Sequence, residues 1–198
     1  MKKNSFLMNS CGVLLAALTA CSQGMNWREI SVKETGLQIW LPCKPNEATR
    51  QVPLSEDPRD GTVEVTMMGC EKENQQFTVS YINVSPAGAA KNTKSTTTSK
   101  VDTGVQVESW MELLRKARLQ ALGYEGEPQY TKWDKIKAQL TAQGKYASVS
   151  GNKGIDAQFI WFGYGDNIYQ IGYYKPTKAK VSPDVAETFL ASIQFGRI

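Results

Sequence analysis

The stretch DAQFIWFGYGDNIYQIGYYKP, Asp156 to Pro176, limits the possible folds more than any other part of the chain. In an extended backbone Phe159 and Trp161 fall on one side, and Ile160, Phe162 and Tyr164 on the other. Gly165-Asp166-Asn167 supplies a turn, and Ile168 to Tyr174 returns. A hairpin that is apolar on both faces has to lie centrally in a sheet and be covered on both sides. Its aromatic residues Trp161, Phe162, Tyr164, Tyr169, Tyr173 and Tyr174 have two uses open to them. They can fill the core, or they can line a groove for a small apolar ligand or a lipid.

The remaining elements must provide that cover. GLQIWLP alternates Leu37, Ile39 and Leu41 against Gln38 and Trp40, the period of a half-buried strand, and Pro42 and Pro45 end it. ATRQVPL reads as a weaker strand, SEDPRDG as a turn, and TVEVTMMGC as a strand alternating Val63, Val65 and Met67. FTVSYINV places Phe77, Val79 and Tyr81 on one face. Together these segments predict an antiparallel meander. Residues 85–104, rich in Ser and Thr and without apolar periodicity, predict a long mobile loop, whose Lys91, Lys94 and Lys100 are either solvated or in contact with anionic lipid or a partner. From Val105 to Gly123 the spacing of Val107, Trp110, Leu114, Ala117 and Ala121 predicts a helix with Trp110 on its core face. KIKAQLTAQGKYASVSGNKG alternates from Ile136 through Leu140 and predicts one or two strands. Ser182 as N-cap and Pro183 at the first helical position open a terminal helix with Val185, Phe189 and Leu190 inward.

The N-terminus addresses location. Lys2 and Lys3 precede a short apolar core, Cys11 to Leu18, below the roughly 20 residues that cross a bilayer. This is the pattern of a secretory signal peptide. Leu18-Thr19-Ala20-Cys21 resembles the lipobox of bacterial lipoproteins. That resemblance implies cleavage before Cys21, so that 1–20 is a signal peptide, and acylation of the Cys21 thiol and amine. Several acyl chains hold a protein firmly at a membrane where one holds it marginally. Residues 21–26 then form a tether and 27–198 one domain. The residue after the lipobox cysteine is Ser22 rather than Asp, which leans toward the outer membrane. Removing 20 of 198 residues, with two of four net positive charges, leaves 178 residues at about +2. That is enough for one core and too mild a charge to imply a nucleic-acid partner.

Of four cysteines, Cys11 leaves with the signal and Cys21 carries lipid. Cys43 and Cys70 remain, and a disulfide between them is expected in an oxidising compartment, with two buried free thiols as the alternative. If both followed strands flanking a third, their backbones would stand about 9.6 Å apart, too far for a bridge, whose α-carbons lie within about 7 Å. The chain has no histidine, which removes His-activated nucleophiles and HExxH metal sites. With Cys43 and Cys70 alone no zinc site is expected, and no cofactor. Asp57, Asp60 and Glu64 miss the calcium-loop spacing and read as a solvated turn. Gly163-Tyr164-Gly165 falls inside a hairpin and is no dinucleotide fingerprint.

LQIWLPCKP, DNIYQIGYY and ETFLASIQF resemble, respectively, the opening strand, a central strand and the closing helix–strand of the PsbP-like fold. The likeness covers most of residues 27–198. With the lipobox, the DcrB-like envelope lipoproteins are the nearest in kind. The resemblance implies an α+β protein, an α/β/α sandwich around a mainly antiparallel sheet, with a non-catalytic, partner-binding role. The expected function is that of a lipid-anchored protein of the cell envelope, facing the periplasm and binding another envelope component. A carrier or sensor of a small apolar ligand in an aromatic pocket is the alternative.

Overall fold

A computed structural model describes residues 24–33, 35–53, 62–84 and 103–196. Cys21, the turn at Ser55–Gly61 with Asp57 and Asp60, and Lys91, Lys94 and Lys100 lie outside these residues. Ten strands and two helices follow in the order β1 (Arg28–Ser31), β2 (Leu37–Leu41), β3 (Asn46–Pro53), β4 (Thr62–Lys72), β5 (Gln75–Asn83), α1 (Thr103–Ala121), β6 (Thr131–Lys132), β7 (Ala142–Ser150), β8 (Ile155–Tyr164), β9 (Asn167–Pro176), α2 (Pro183–Ala191) and β10 (Gln194–Phe195). The class is α+β. A seven-stranded sheet runs β3-β4-β5-β9-β8-β7-β6, and a small sheet runs β1-β2-β10. All pairings in both are antiparallel.

The β8–β9 hairpin lies centrally, as its two apolar faces require. Ile160, Phe162, Tyr169, Ile171 and Tyr173 point into one core, with Phe77 and Val79 of β5. Helix α2 and the small sheet cover that core through Phe189, Leu190, Leu37, Ile39 and Leu41. Phe159, Trp161, Ile168 and Tyr174 point into a second core on the opposite face, closed by Val107, Met111, Leu119 and Leu122 of and just after α1. The sheet is thus the wall between two apolar compartments. The strand from Leu37 to Leu41 alternates as expected, but it does not extend the meander. It pairs with β1 and β10 instead, so the meander proper is β3-β4-β5.

Helix α1 starts at Thr103, two residues inside the segment expected as loop. Its buried stripe is also rotated from the expected one. Val107, Met111, Arg115, Leu119 and Leu122 face inward, Trp110 and Leu114 are half-buried at the margin, and Ala117 and Ala121 are exposed. A charged residue in the stripe hides its phase from hydrophobic periodicity. Arg115 enters the core because Glu112 pairs with it one turn away and its guanidinium lies 5.2 Å from the Tyr130 ring centre.

Two other expectations change in detail. Ile136 to Leu140 keeps its alternation, with Ile136 buried, yet it forms no strand and crosses the first core as irregular chain. Ser182 and Pro183 open α2, but the Ser182 hydroxyl makes no capping bond, and Ala186 rather than Val185 is the fully buried residue of its first turns. The other end of α2 is held firmly: Ser192 Oγ donates to Phe189 O at 2.6 Å and accepts the Trp40 N–H at 3.0 Å, which ties the helix end to β2.

Cys43 and Cys70 are joined by a disulfide with α-carbons 5.9 Å apart. The strand after Cys43, not the one before it, sets its position. β3 pairs directly with β4, Asn46 opposite Gly69, so Cys43 arrives beside Cys70 with no strand in between.

Candidate functional site

Helix α1 packs over β7, β8 and β9. Among the described residues no helix lies on the same face of β3, β4 and β5, and a groove runs there between that face and the flank of α1. Register fixes its floor row by row. Val52 lies opposite Val63, and Arg50 opposite Val65. Ala48, Met67, Ser80 and Gln170 form the next row, and Asn46, Gly69, Thr78 and Gly172 the one after. Gln76 and Tyr174 close the series, near Glu71. Leu114, Ala117, Arg118 and Ala121 form the helical wall.

The groove has two confluent stretches that share Ala48, Met67, Arg118 and Ala121. One, of ≈ 240 Å³, is bounded mainly by Val52, Val65, Met67, Ile82 and Leu114. The other, of ≈ 550 Å³, is also mainly apolar in its walls, with Met67, Leu122, Ile155 and Tyr174, and adds the polar groups of Asn46, Glu71, Gln76 and Thr78. The larger alone falls within the roughly 300–1,000 Å³ of small-molecule sites. Arg50 and Arg118 form no ion pair among the described residues, and neither do Glu47 and Glu71. The guanidinium of Arg118 lies 5.9 Å from the Tyr174 ring centre. Burial raises the Tyr174 pKa, and the charge of Arg118 opposes that rise.

Small residues make the floor possible. A Cβ on Gly172 would stand 2.8 Å from Thr78 Oγ1 and 3.0 Å from Tyr174 Oη, so the tyrosine can fold back over the strand only across glycine. Ser80 is 5 % exposed, and its Oγ has no hydrogen-bond partner among the described residues. Beside it Gln170 accepts the Trp161 indole N–H at 2.9 Å. An unpaired buried hydroxyl costs free energy, so Ser80 marks a place where a ligand or water gains a bond.

The aromatic residues that sequence offered as groove lining mostly fill the two cores. Trp161, Phe162 and Tyr169 are 0 % exposed, Tyr173 is 2 %, and Tyr164 stacks on Phe195 at 3.7 Å. Phe162 stacks on Tyr169 at 5.0 Å, and burial pushes the Tyr169 hydroxyl up to about 12. Tyr174 alone of the six reaches the groove. Glu64 lies in β4, accepting a hydrogen bond from Gln51 across the strand pair. Sequence reasoning missed Arg50, Ser80, Arg118 and Gln170. One signal was present: Gln170 interrupts an otherwise apolar run in a strand buried on both faces.

No protein-family model matches the chain, and no curated protein matches it. Among the described residues no group of three or more potential metal ligands occurs, and no helix is long and apolar enough to cross a membrane.

Proposed function

We propose that the chain is a lipid-anchored, non-catalytic cell-envelope protein, held at the membrane by acylated Cys21 and facing the periplasm, whose groove between α1 and β3–β5 receives another envelope component. The observation that carries this reading is the half-covered sheet. Hydrophobic Val52, Val65 and Met67 lie on a face that α1 leaves open, beside cations that form no ion pair among the described residues. An antiparallel sheet with α1 over part of one face and α2 and the small sheet over the other, the closing helix being followed by a short strand, supports the PsbP-like reading of the domain. Non-catalytic use is supported by the state of Ser80, whose hydroxyl has no base within hydrogen-bond reach among the described residues, and by the lack of histidine.

A photo-crosslinking amino acid placed at Ala121, in the groove wall, tests the reading against one at exposed Gln143 of β7. The expected result in cells is a discrete adduct from Ala121 and none from Gln143. Cys21→Ala should move the protein from the membrane to the soluble fraction and abolish the Ala121 adduct. Equal adducts from both positions, or a Cys21→Ala protein that still carries lipid and sediments with membranes, would overturn it.

A further inference from the structure

We propose that the groove binds a single-chain amphiphile whose head carries a phosphate followed by an ammonium group, as in a lysophosphatidylethanolamine. The inference rests on the groove being the receiving site and names what it receives.

The order of side chains along the strands sets the order of chemistry in the ligand. Val52, Val65, Ile82 and Leu114 make one end apolar. A hydrocarbon chain gains there from each CH₂ removed from water. Midway stand Arg118 and the unpartnered Ser80 Oγ, with Arg50 on the rim. A guanidinium and a free hydroxyl suit a phosphate, and charge-assisted bonds to Arg are the strong kind. Past Arg118 the groove changes sign. Glu71 stands in that stretch, with neutral Asn46, Gln76 and Thr78 beside it. Glu47 lies opposite Met68 and belongs to the other face of the sheet. A carboxylate beyond two guanidiniums matches a zwitterion read in one direction, phosphate first and ammonium last. A fatty acid would satisfy the arginines and leave Glu71 facing nothing cationic. A neutral apolar ligand would use neither charge.

The test uses the full acylated chain in nanodiscs and a lysophosphatidylethanolamine probe with a diazirine in its acyl chain. Irradiation should label peptides containing Val65, Ile82 or Leu114, and unlabelled lysophosphatidylethanolamine should compete. Ala117→Trp fills the groove from an exposed position and should abolish labelling while the Cys43–Cys70 bond, as a check of folding, persists. Arg118→Gln should weaken labelling by about tenfold or more, the worth of a charge-assisted bond, and leave a diazirine fatty alcohol unaffected. Glu71→Gln should weaken the ethanolamine probe and spare lysophosphatidic acid, which has no ammonium. Labelling spread over the surface, labelling that survives Ala117→Trp, or a fatty acid that labels as well as the zwitterion would overturn the proposal. If the probe fails while Ala121 still gives a discrete protein adduct in cells, this inference falls and the groove reading stands. If Ala121 gives no adduct either, both fall.

Discussion

Truncating Trp161 to alanine should be among the most damaging single changes in the described domain. The side chain is fully buried, 5.0 Å from the Phe159 ring and 6.1 Å from that of Tyr130. A tryptophan buries about 150–250 Å², and at about 25 cal/mol per Å² that transfer is worth about 4–6 kcal/mol. Measured truncations of large aromatics cost about 3–5 kcal/mol, because alanine keeps part of the burial and the site relaxes in part. The lost indole also strips Gln170 Oε1 of its donor. A buried orphan costs about 1–3 kcal/mol, but Gln170 borders the groove, so water can reach it and the lower figure applies. The sum is about 5 kcal/mol, comparable with the whole stability of many domains. Trp161→Phe keeps most of the ring and should cost about 1–2 kcal/mol, chiefly the orphaned acceptor. Trp110→Ala, at the half-buried margin of α1, should cost about half the full aromatic value, or about 2 kcal/mol. Urea melts of the unacylated chain, followed by far-UV circular dichroism, measure all three. Equal losses from Trp161→Ala and Trp110→Ala would refute the placement of the two residues, and a Trp161→Ala protein that melts like wild type would refute the core assignment altogether.

Two further perturbations test other parts of the fold. Replacing Cys43 and Cys70 by serine opens a loop with a sequence separation of 27. The chain-entropy relation puts the loss at about 3.5 kcal/mol, visible as an earlier urea midpoint that reducing agent reproduces in wild type and not in the variant. Asp156 accepts bonds from Lys175, Ser150 and Thr177, and the Lys175 bond, foremost, holds its carboxyl below the usual range. A depressed folded-state pKa gives stability that is present above the ordinary carboxylate value and lost as pH falls through the lowered one. Urea midpoints of wild type should therefore drop below about pH 4, and those of Asp156→Asn should drop less; identical acid limbs would exclude this network as a source.

The central hairpin was legible because β8 and β9 are apolar at nearly every position, and only one place in a sheet tolerates that. The disulfide was legible from cysteine arithmetic, but its geometry was not. Pairing across β3 and β4 depends on which neighbour Cys43 is carried toward, and the alternation of β2 says nothing of that. Helix α1 was found but mis-phased, since Arg115 occupies a buried position and pushes a periodicity count toward Trp110 and Leu114. The groove left almost no trace. Its residues come from β3, β4, β5, β9 and α1, and what makes it a groove is the place where a helix fails to cover a sheet, which no local pattern records.

Both sheets are completed by strands far apart in the chain, with a kinetic consequence. β5 pairs with β9, Phe77 opposite Tyr173, and β2 pairs with β10, Gln38 opposite Gln194. A nascent chain that ends before Asn167 can form β3-β4-β5 as a local meander, but β5 then has a bare edge and both of its faces lack their central hairpin. Contacts between such distant residues close late and slowly, because loop entropy must be overcome before they contribute. The chain therefore cannot commit to its native cores until almost all of it has emerged, and truncations at the C-terminal end should trap a meander with an open edge, a template for pairing with other chains.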